Sequence, residues 1–269
     1  TKKKRKSCAF ALRVDGLGNR LEQIMNLVDL YNQMVIGITL IWPTNAKHEG
    51  YHKTSSLLRI EGVHFIESNN AEETLRTLNM TGCTLNASDH VMMSHNAHRI
   101  KPAFGLHFTD GTGDKIHPVG IHIRKSDRIT EKHGLKSDFE TIDEFNDIVR
   151  FVTEAIMAKR PEHVFIASDD VSEKAALTKN LEAVNVSIIE PTIKSPDGLN
   201  IPPVFSDFFG LSLCSEVWMA SRFSSYAIMS ARANGHDVPL YTYFNPEETA
   251  LSRYQVPDIR LMRNWKSYE

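Results

Sequence analysis

The amino-acid sequence predicts an α/β fold of two lobes facing each other across a cleft. Three observations carry that expectation. Residues 9–42 read in succession as strand, glycine turn, helix and strand. Residues 118–243 alternate short apolar runs with stretches of helical periodicity. Several of those runs end in ionisable or hydroxyl side chains, as strands do when they deliver groups to the ligand-binding edge of a parallel sheet. The chain has 269 residues, 41% of them hydrophobic, which suits one large core or two smaller ones.

In the first lobe, residues 9–14 (Ala-Phe-Ala-Leu-Arg-Val) form a strand on their apolar character. Gly16-Leu17-Gly18-Asn19-Arg20 then turns the chain. Leu21, Ile24, Met25, Leu27, Val28 and Leu30 recur at helical spacing over 20–33, and residues 36–42 make the next strand. This is the half-module of a Rossmann-like domain. Residues 52–60 suggest a helix, 62–66 a strand and 72–78 a short helix. Residues 79–115 are polar and rich in histidine, and are expected to carry the crossover between lobes.

The second lobe opens with a strand over 118–124. Thr141 and Glu144 have capping-box spacing, so a helix starts there and runs to Ala158. Pro161 precedes a strand over 163–167, and residues 171–183 are helical. Residues 186–189 form a further strand, followed by a Pro/Gly-rich loop through Pro203. Ser206 or Asp207 is expected to cap a helix over 208–216. Residues 217–220 form a strand, 225–234 a small-residue helix closed by Gly235, and 238–243 a last strand. The tail from Asn245 reads as irregular, packed by Tyr254 and Trp265.

Composition narrows the function classes. The net charge of -2 is not a nucleic-acid footprint. The one basic block, Lys2-Lys3-Lys4-Arg5-Lys6, fits a nuclear signal, an anionic-surface contact or a solubilising arm. Cys8, Cys83 and Cys214 are far apart and odd in number, which argues for reduced thiols over a disulfide scaffold or zinc knuckle. No apolar stretch is long enough to span a membrane. The expected location is cytoplasmic, or that of a soluble catalytic domain cut from a larger protein. Residues 79–81, 86–88 and 185–187 are formal glycosylation sequons, relevant only in a secretory lumen.

The chemistry gathers in three places. In Pro118-Val119-Gly120-Ile121-His122-Ile123-Arg124-Lys125-Ser126-Asp127-Arg128, His122 and Arg124 are two apart and share a strand face. An imidazole and a guanidinium on one face suit an anion, and Arg is a natural phosphate clamp that Asp127 can orient. Ser168-Asp169-Asp170 ends the next strand, either lining the cleft or capping the following helix. Ser221, Phe223, Ser224 and Ser225 follow the strand at 217–220. In the first lobe, Gly16, Gly18 and Asn19 lead into a helix N-terminus, suited to an anion or to a plain turn. The glycine pattern is neither a complete dinucleotide fingerprint nor a Walker A loop, and the strand after it ends Ile41-Trp42-Pro43 without an acid for a ribose. A dehydrogenase or epimerase is disfavoured. No acidic metal cage is visible, so no metal is expected. Phosphate, base and sugar partners together describe a nucleotide-sugar.

These segments, in this order over residues 9–235, resemble the GT-B-type fucosyltransferase superfamily of α1,2-, α1,6- and protein-O-fucosyltransferases, with the motifs most similar to the α1,6 branch. The resemblance implies a GT-B-like fold: an acceptor-side lobe over 1–115, a donor lobe over 116–245, and a tail over 246–269 packing back on both. It implies inverting, metal-independent transfer of L-fucose from GDP-fucose to a glycan hydroxyl, with no cofactor beyond the donor. Partners would be that donor and a glycan acceptor, with no nucleic acid and no membrane span. His122 and Arg124 would hold the nucleotide and its β-phosphate, Asp169 and Asp170 the donor site, Asp207 the guanine, and Ser224 and Ser225 the phosphates. Glu131 would be the base; Asp138, Glu140, Asp143 and Glu22 are rivals. Lys125 stands where the family carries a second Arg, so another GDP-deoxyhexose is an alternative donor. A non-catalytic GDP-sugar-binding module is the other alternative.

Overall fold

The structure, a computed structural model, describes residues 7–10, 16–32, 38–44, 54–70, 73–74, 95–125, 129, 140–243 and 259–261. Its first sheet is parallel. β1 (Ser7–Phe10) pairs with β2 (Ile38–Pro43), which pairs with β4 (Val63–Ser68), and helix α1 (Leu17–Asn32) connects β1 to β2. β3 (Leu58–Ile60) lies apart, in an antiparallel ribbon with β5 (Ile100–Pro102). The helix expected over 52–60 is therefore a turn and a strand. Leu58 and Ile60 are buried and Arg59 is exposed, a two-residue period that suits a ribbon with one covered face. Of the helix expected over 72–78, only Glu73 and Thr74 lie among the described residues, and both are helical.

The second sheet has six parallel strands in the order β10 (Ser187–Ile188), β9 (His163–Ser168), β8 (Val119–Ile123), β12 (Glu216–Ala220), β13 (Leu240–Thr242) and β14 (Ile259–Leu261). β14 corrects the reading of the tail as irregular throughout; Tyr254 and Trp265 lie outside the described residues. Three of the strands alternate cleanly between two cores. Ile121 and Ile123, Val164 and Ile166, and Trp218 and Ala220 face helices α2 (Ile142–Lys159) and α3 (Val171–Glu182). Phe165 and Ala167, and Val217 and Met219, face α4 (Pro203–Leu211) and α5 (Ser225–Arg232). That second core continues through Leu17, Leu21, Ile24 and Met25 of α1 to Leu40 and Trp42 of β2. α1 and α5 pack directly on each other and join the lobes.

Local sequence explains most boundaries. Thr141 caps α2 in a complete capping box, accepting the Glu144 N–H while the Glu144 carboxylate accepts the Thr141 N–H. The helix expected over 208–216 instead begins at Pro203, immediately after Pro202. Proline is well suited to a first helical turn, where its missing N–H is not needed. Ser206 and Asp207 thus lie inside α4 rather than capping it. The loop expected before it contains β11 (Thr192–Lys194), which pairs antiparallel with β6 (Gly105–Thr109), itself paired with β7 (Lys115–Ile116). Phe108 of β6 packs 5.1 Å from Phe165 of β9. Cys214 is buried, and burial pushes its thiol well up.

Candidate active site

The register aligns the ends of the central strands. Ile123 stands opposite both Ser168 and Ala220, so Arg124, Asp169 and Ser221 leave the sheet at one edge. His122, one residue back, is buried on the α5 side. Its ring stacks on Tyr226 at 5.2 Å and 23°, and its Nε2 lies 2.9 Å from Ser224 Oγ. Ser224 is the N-cap of α5 and accepts the Ala227 N–H at 3.3 Å. One hydroxyl therefore starts the helix and ties it to β8. Burial, against the pull of Asp169 and with help from Arg124, lowers the His122 pKa to about 4, so the imidazole is neutral. Its buried Nδ1 makes no hydrogen bond among the described residues.

The start of α1 comes to the same place. A Cβ on Gly18 would lie 2.5 Å from the Tyr226 nitrogen and 2.7 Å from its Cα, so only glycine lets the two helices approach. Ser225 Oγ donates to Asn19 Oδ1 at 2.5 Å across the lobes. α1 begins at Leu17, three residues earlier than its apolar spacing indicates, and Gly18 and Asn19 stand in its first turn. Gly16 precedes it, and a Cβ there would meet nothing within 4 Å. Two helix N-termini thus converge on one sheet edge, each presenting N–H groups and the positive end of its dipole.

The two aspartates divide their work. Asp169 is exposed and accepts the Lys125 N–H at 2.9 Å, linking the ends of β8 and β9. Asp170 caps α3, accepting from the Ser172 and Glu173 N–H groups, and its pKa is lowered by the Ser172 hydroxyl and those amides. Lys125 binds Glu173 at 2.6 Å and lies 3.6 Å from Asp170. It braces the edge from the α3 side, away from His122. Asp207 is half-buried in α4 near the Lys174–Glu190 ion pair. Burial, reinforced by Glu190 and opposed by Lys174, raises its pKa to about 7. Phe223 is buried beside Ser224.

Glu131, Asp127 and Asp138 lie outside the described residues. Of the rival bases, Glu140 is buried and accepts the Arg222 N–H at 3.0 Å, Asp143 sits in the first turn of α2, and Glu22 is buried in α1. Among the described residues no group of three or more His, Cys, Asp or Glu could hold a metal ion, and no helix is long and apolar enough to cross a membrane.

No protein-family model matches this sequence, and no curated protein does. Solved structures do match. The apo form of POFUT1 superposes with a TM-score of 0.56 at 9% identity, over 89% of this chain and 99% of that one. POFUT1 in complex with GDP-fucose gives 0.50 at 9% identity, over 87% and 96%. NodZ α-1,6-fucosyltransferase co-crystallized with GDP gives 0.47 at 11%, over 85% and 92%. At such identities the POFUT1 likeness is one of fold. The fold is GT-B-like, with two α/β lobes.

Some of this site has no local signature. His122 and Ser224 are 102 residues apart, Asn19 and Ser225 206 apart. Sequence reasoning also missed Arg20. It is fully buried, donates from Nη1 to the Pro43 carbonyl at 2.8 Å and lies 4.6 Å over the Trp42 ring. A lone arginine early in a helix looks solvated until its packing on the end of β2 is known. Tyr226 was missed too, although its place directly after Ser224-Ser225 could have drawn notice.

Proposed function

We propose that this chain is a glycosyltransferase that moves L-fucose from GDP-fucose to a hydroxyl of a glycan acceptor, with inversion and without a metal. The observation that carries the reading is the meeting of Arg124, His122 and Ser224 with two helix N-termini at one sheet edge. That edge suits a diphosphate. The POFUT1 fold supports the choice of donor, since POFUT1 has been solved with GDP-fucose. The order of motifs along the chain leans toward the α1,6 branch of the superfamily.

In this reading the acceptor oxygen attacks the anomeric carbon as its bond to the diphosphate breaks, and GDP departs. Arg124 and the N–H groups at the start of α5 stabilise the charge that grows on the leaving phosphate. Neutral His122 positions Ser224 and the nucleotide without adding a cation. Asp169 orders the backbone around Arg124, and Asp170 the start of α3. Gly16, Gly18, Asn19 and Ser225 shape the phosphate end, Phe223 supports Ser224, and Asp207 accepts from guanine N–H groups. Glu131 removes the acceptor proton.

Calorimetry with GDP-fucose, other GDP-sugars, UDP-sugars and dinucleotides tests the reading. GDP-fucose should bind in the presence of excess chelator, and turnover should persist there. Preference for a UDP-sugar or a dinucleotide would overturn it. Tight GDP-fucose binding with no transfer to any glycan would favour the non-catalytic alternative. In Glu131→Gln, kcat should collapse while donor affinity stays within a few-fold; an unchanged kcat would remove Glu131 from the mechanism.

A further inference from the structure

The β3–β5 ribbon has one apolar face and one charged face. Leu58, Ile60 and Ile100 are buried, and Arg59, Glu61, Arg99 and Lys101 alternate with them. Arg59 stands directly opposite Lys101 in the register. Like charges facing each other across an antiparallel pair are unfavourable. The Glu61 carboxylate lines the same face but forms no ion pair with either Arg59 or Lys101 among the described residues. The Arg59 guanidinium reaches the Ala103 carbonyl at 3.5 Å and that of Arg99 the Glu61 carbonyl. None of the three cations is ion-paired to a carboxylate among the described residues. The carbonyl contacts orient both guanidinium groups and leave their charge in place.

These same side chains line a cavity of about 1000 Å³, with His98 beside them and Val63, Phe65 and Pro102 supplying apolar wall. Gly235 also lines it and lies beyond the C-terminal end of α5. The Ser224 site is at the other end of that helix, roughly 12 Å away along its axis for eight residues.

We propose that this cavity is a second ligand site, for a small polyanion carrying sulfate or phosphate esters on an organic frame. Cross-strand neighbours about 5 Å apart and diagonal ones about 7–8 Å apart can engage two ester groups at once, and a guanidinium can bind each in a forked pair of hydrogen bonds. The apolar wall receives the C–H face of a sugar ring. A sulfated oligosaccharide and free pyrophosphate share the charged part of this chemistry; only the first uses the wall. The proposal needs no GDP-sugar and no turnover, so it stands or falls apart from the transferase reading.

The test is calorimetry on the full chain with a fully sulfated heparin-derived tetrasaccharide, its desulfated counterpart and inorganic pyrophosphate. The sulfated tetrasaccharide should bind saturably, near one per chain, and weaken as salt rises. The desulfated one should not bind. Weaker pyrophosphate binding would assign part of the affinity to the wall, and equal or tighter pyrophosphate binding would overturn the organic frame. The double variant Arg59→Gln/Lys101→Gln should lose at least tenfold in affinity, while Arg124→Ala loses none and GDP does not compete. Lys101→Glu replaces the opposed like charges with an opposite-charge pair, so Tm should hold or rise while binding is lost. Absence of saturable binding at low salt would overturn the proposal. So would unchanged affinity in the double variant, or loss of affinity in Arg124→Ala.

Discussion

Two side chains, His122 of β8 and Asp207 of α4, respond to pH in opposite senses. His122 is lowered to about 4 from 6.5, chiefly by burial. Between those values the unfolded chain takes up a proton that the folded one refuses, so stability is lost as pH falls from 6.5 toward 4. Asp207 is raised to about 7 from 3.8, again chiefly by burial. There the folded chain keeps a proton that the unfolded one releases, so stability is lost as pH rises from 3.8 through 7. Asp207→Asn should therefore gain stability relative to the parent between about pH 5 and pH 8, measured by urea denaturation at both ends. A constant difference would contradict the shift. His122 ring protons in an NMR titration should move below pH 5, and a midpoint near the ordinary value would show an exposed, unburied ring. Arg124→Ala should lower turnover by about 10²–10³-fold, the usual loss for one donor to a developing anion. Near-normal turnover would remove it from the mechanism. At this scale the sequence showed which side chains end the strands. It did not show that His122 is neutral, because that state depends on burial under Tyr226.

Elements were legible where their signal is local. Thr141 and Glu144 announce α2, and the apolar runs at 118–124, 163–167 and 217–220 became β8, β9 and β12. Elements set by distant partners were not legible. Leu58-Arg59-Ile60 becomes a strand only because residues 100–102 lie beside it, and α4 starts on two prolines that also suit a loop. Gly18 belongs to the same class, since its requirement comes from Tyr226, more than 200 residues on. Gly18→Ala should destabilise the protein by about 1–3 kcal/mol, as overpacking does. The helix backbone it would strike cannot swing aside as a side chain can. A Tm equal to the parent's would mean that α1 and α5 can separate without loss. Ser224→Ala removes the cap of α5 and the partner of His122 together. It should cost about 1–2 kcal/mol, and it should weaken donor binding if α5 presents its N–H groups to the diphosphate.

At the scale of the whole molecule, the alternating strands and helices disclosed two lobes, but not how thoroughly they are joined. One apolar core runs from Trp42 and Leu40 through Leu21 and Ile24 to Ile228, Phe208 and Phe165. It includes Phe104 and Phe108, which precede the six-stranded sheet in sequence and pack under it. Neither lobe can keep that core without the other. Removing α1 would bare the α5 surface around Ala227 and Ile228, and removing α5 would bare Leu17 and Leu21. Unfolding should accordingly be one cooperative event, with calorimetric and van't Hoff enthalpies that agree. Saturating donor should move that single transition upward as a unit, because a ligand that binds only the folded state stabilises everything that unfolds with its site. A fragment spanning residues 116–269 should expose the α4–α5 face, bind a hydrophobic dye and lack a sharp melt. Two resolved transitions, or a cooperative melt from the fragment alone, would show that α1 merely rests on α5 and that the lobes fold independently.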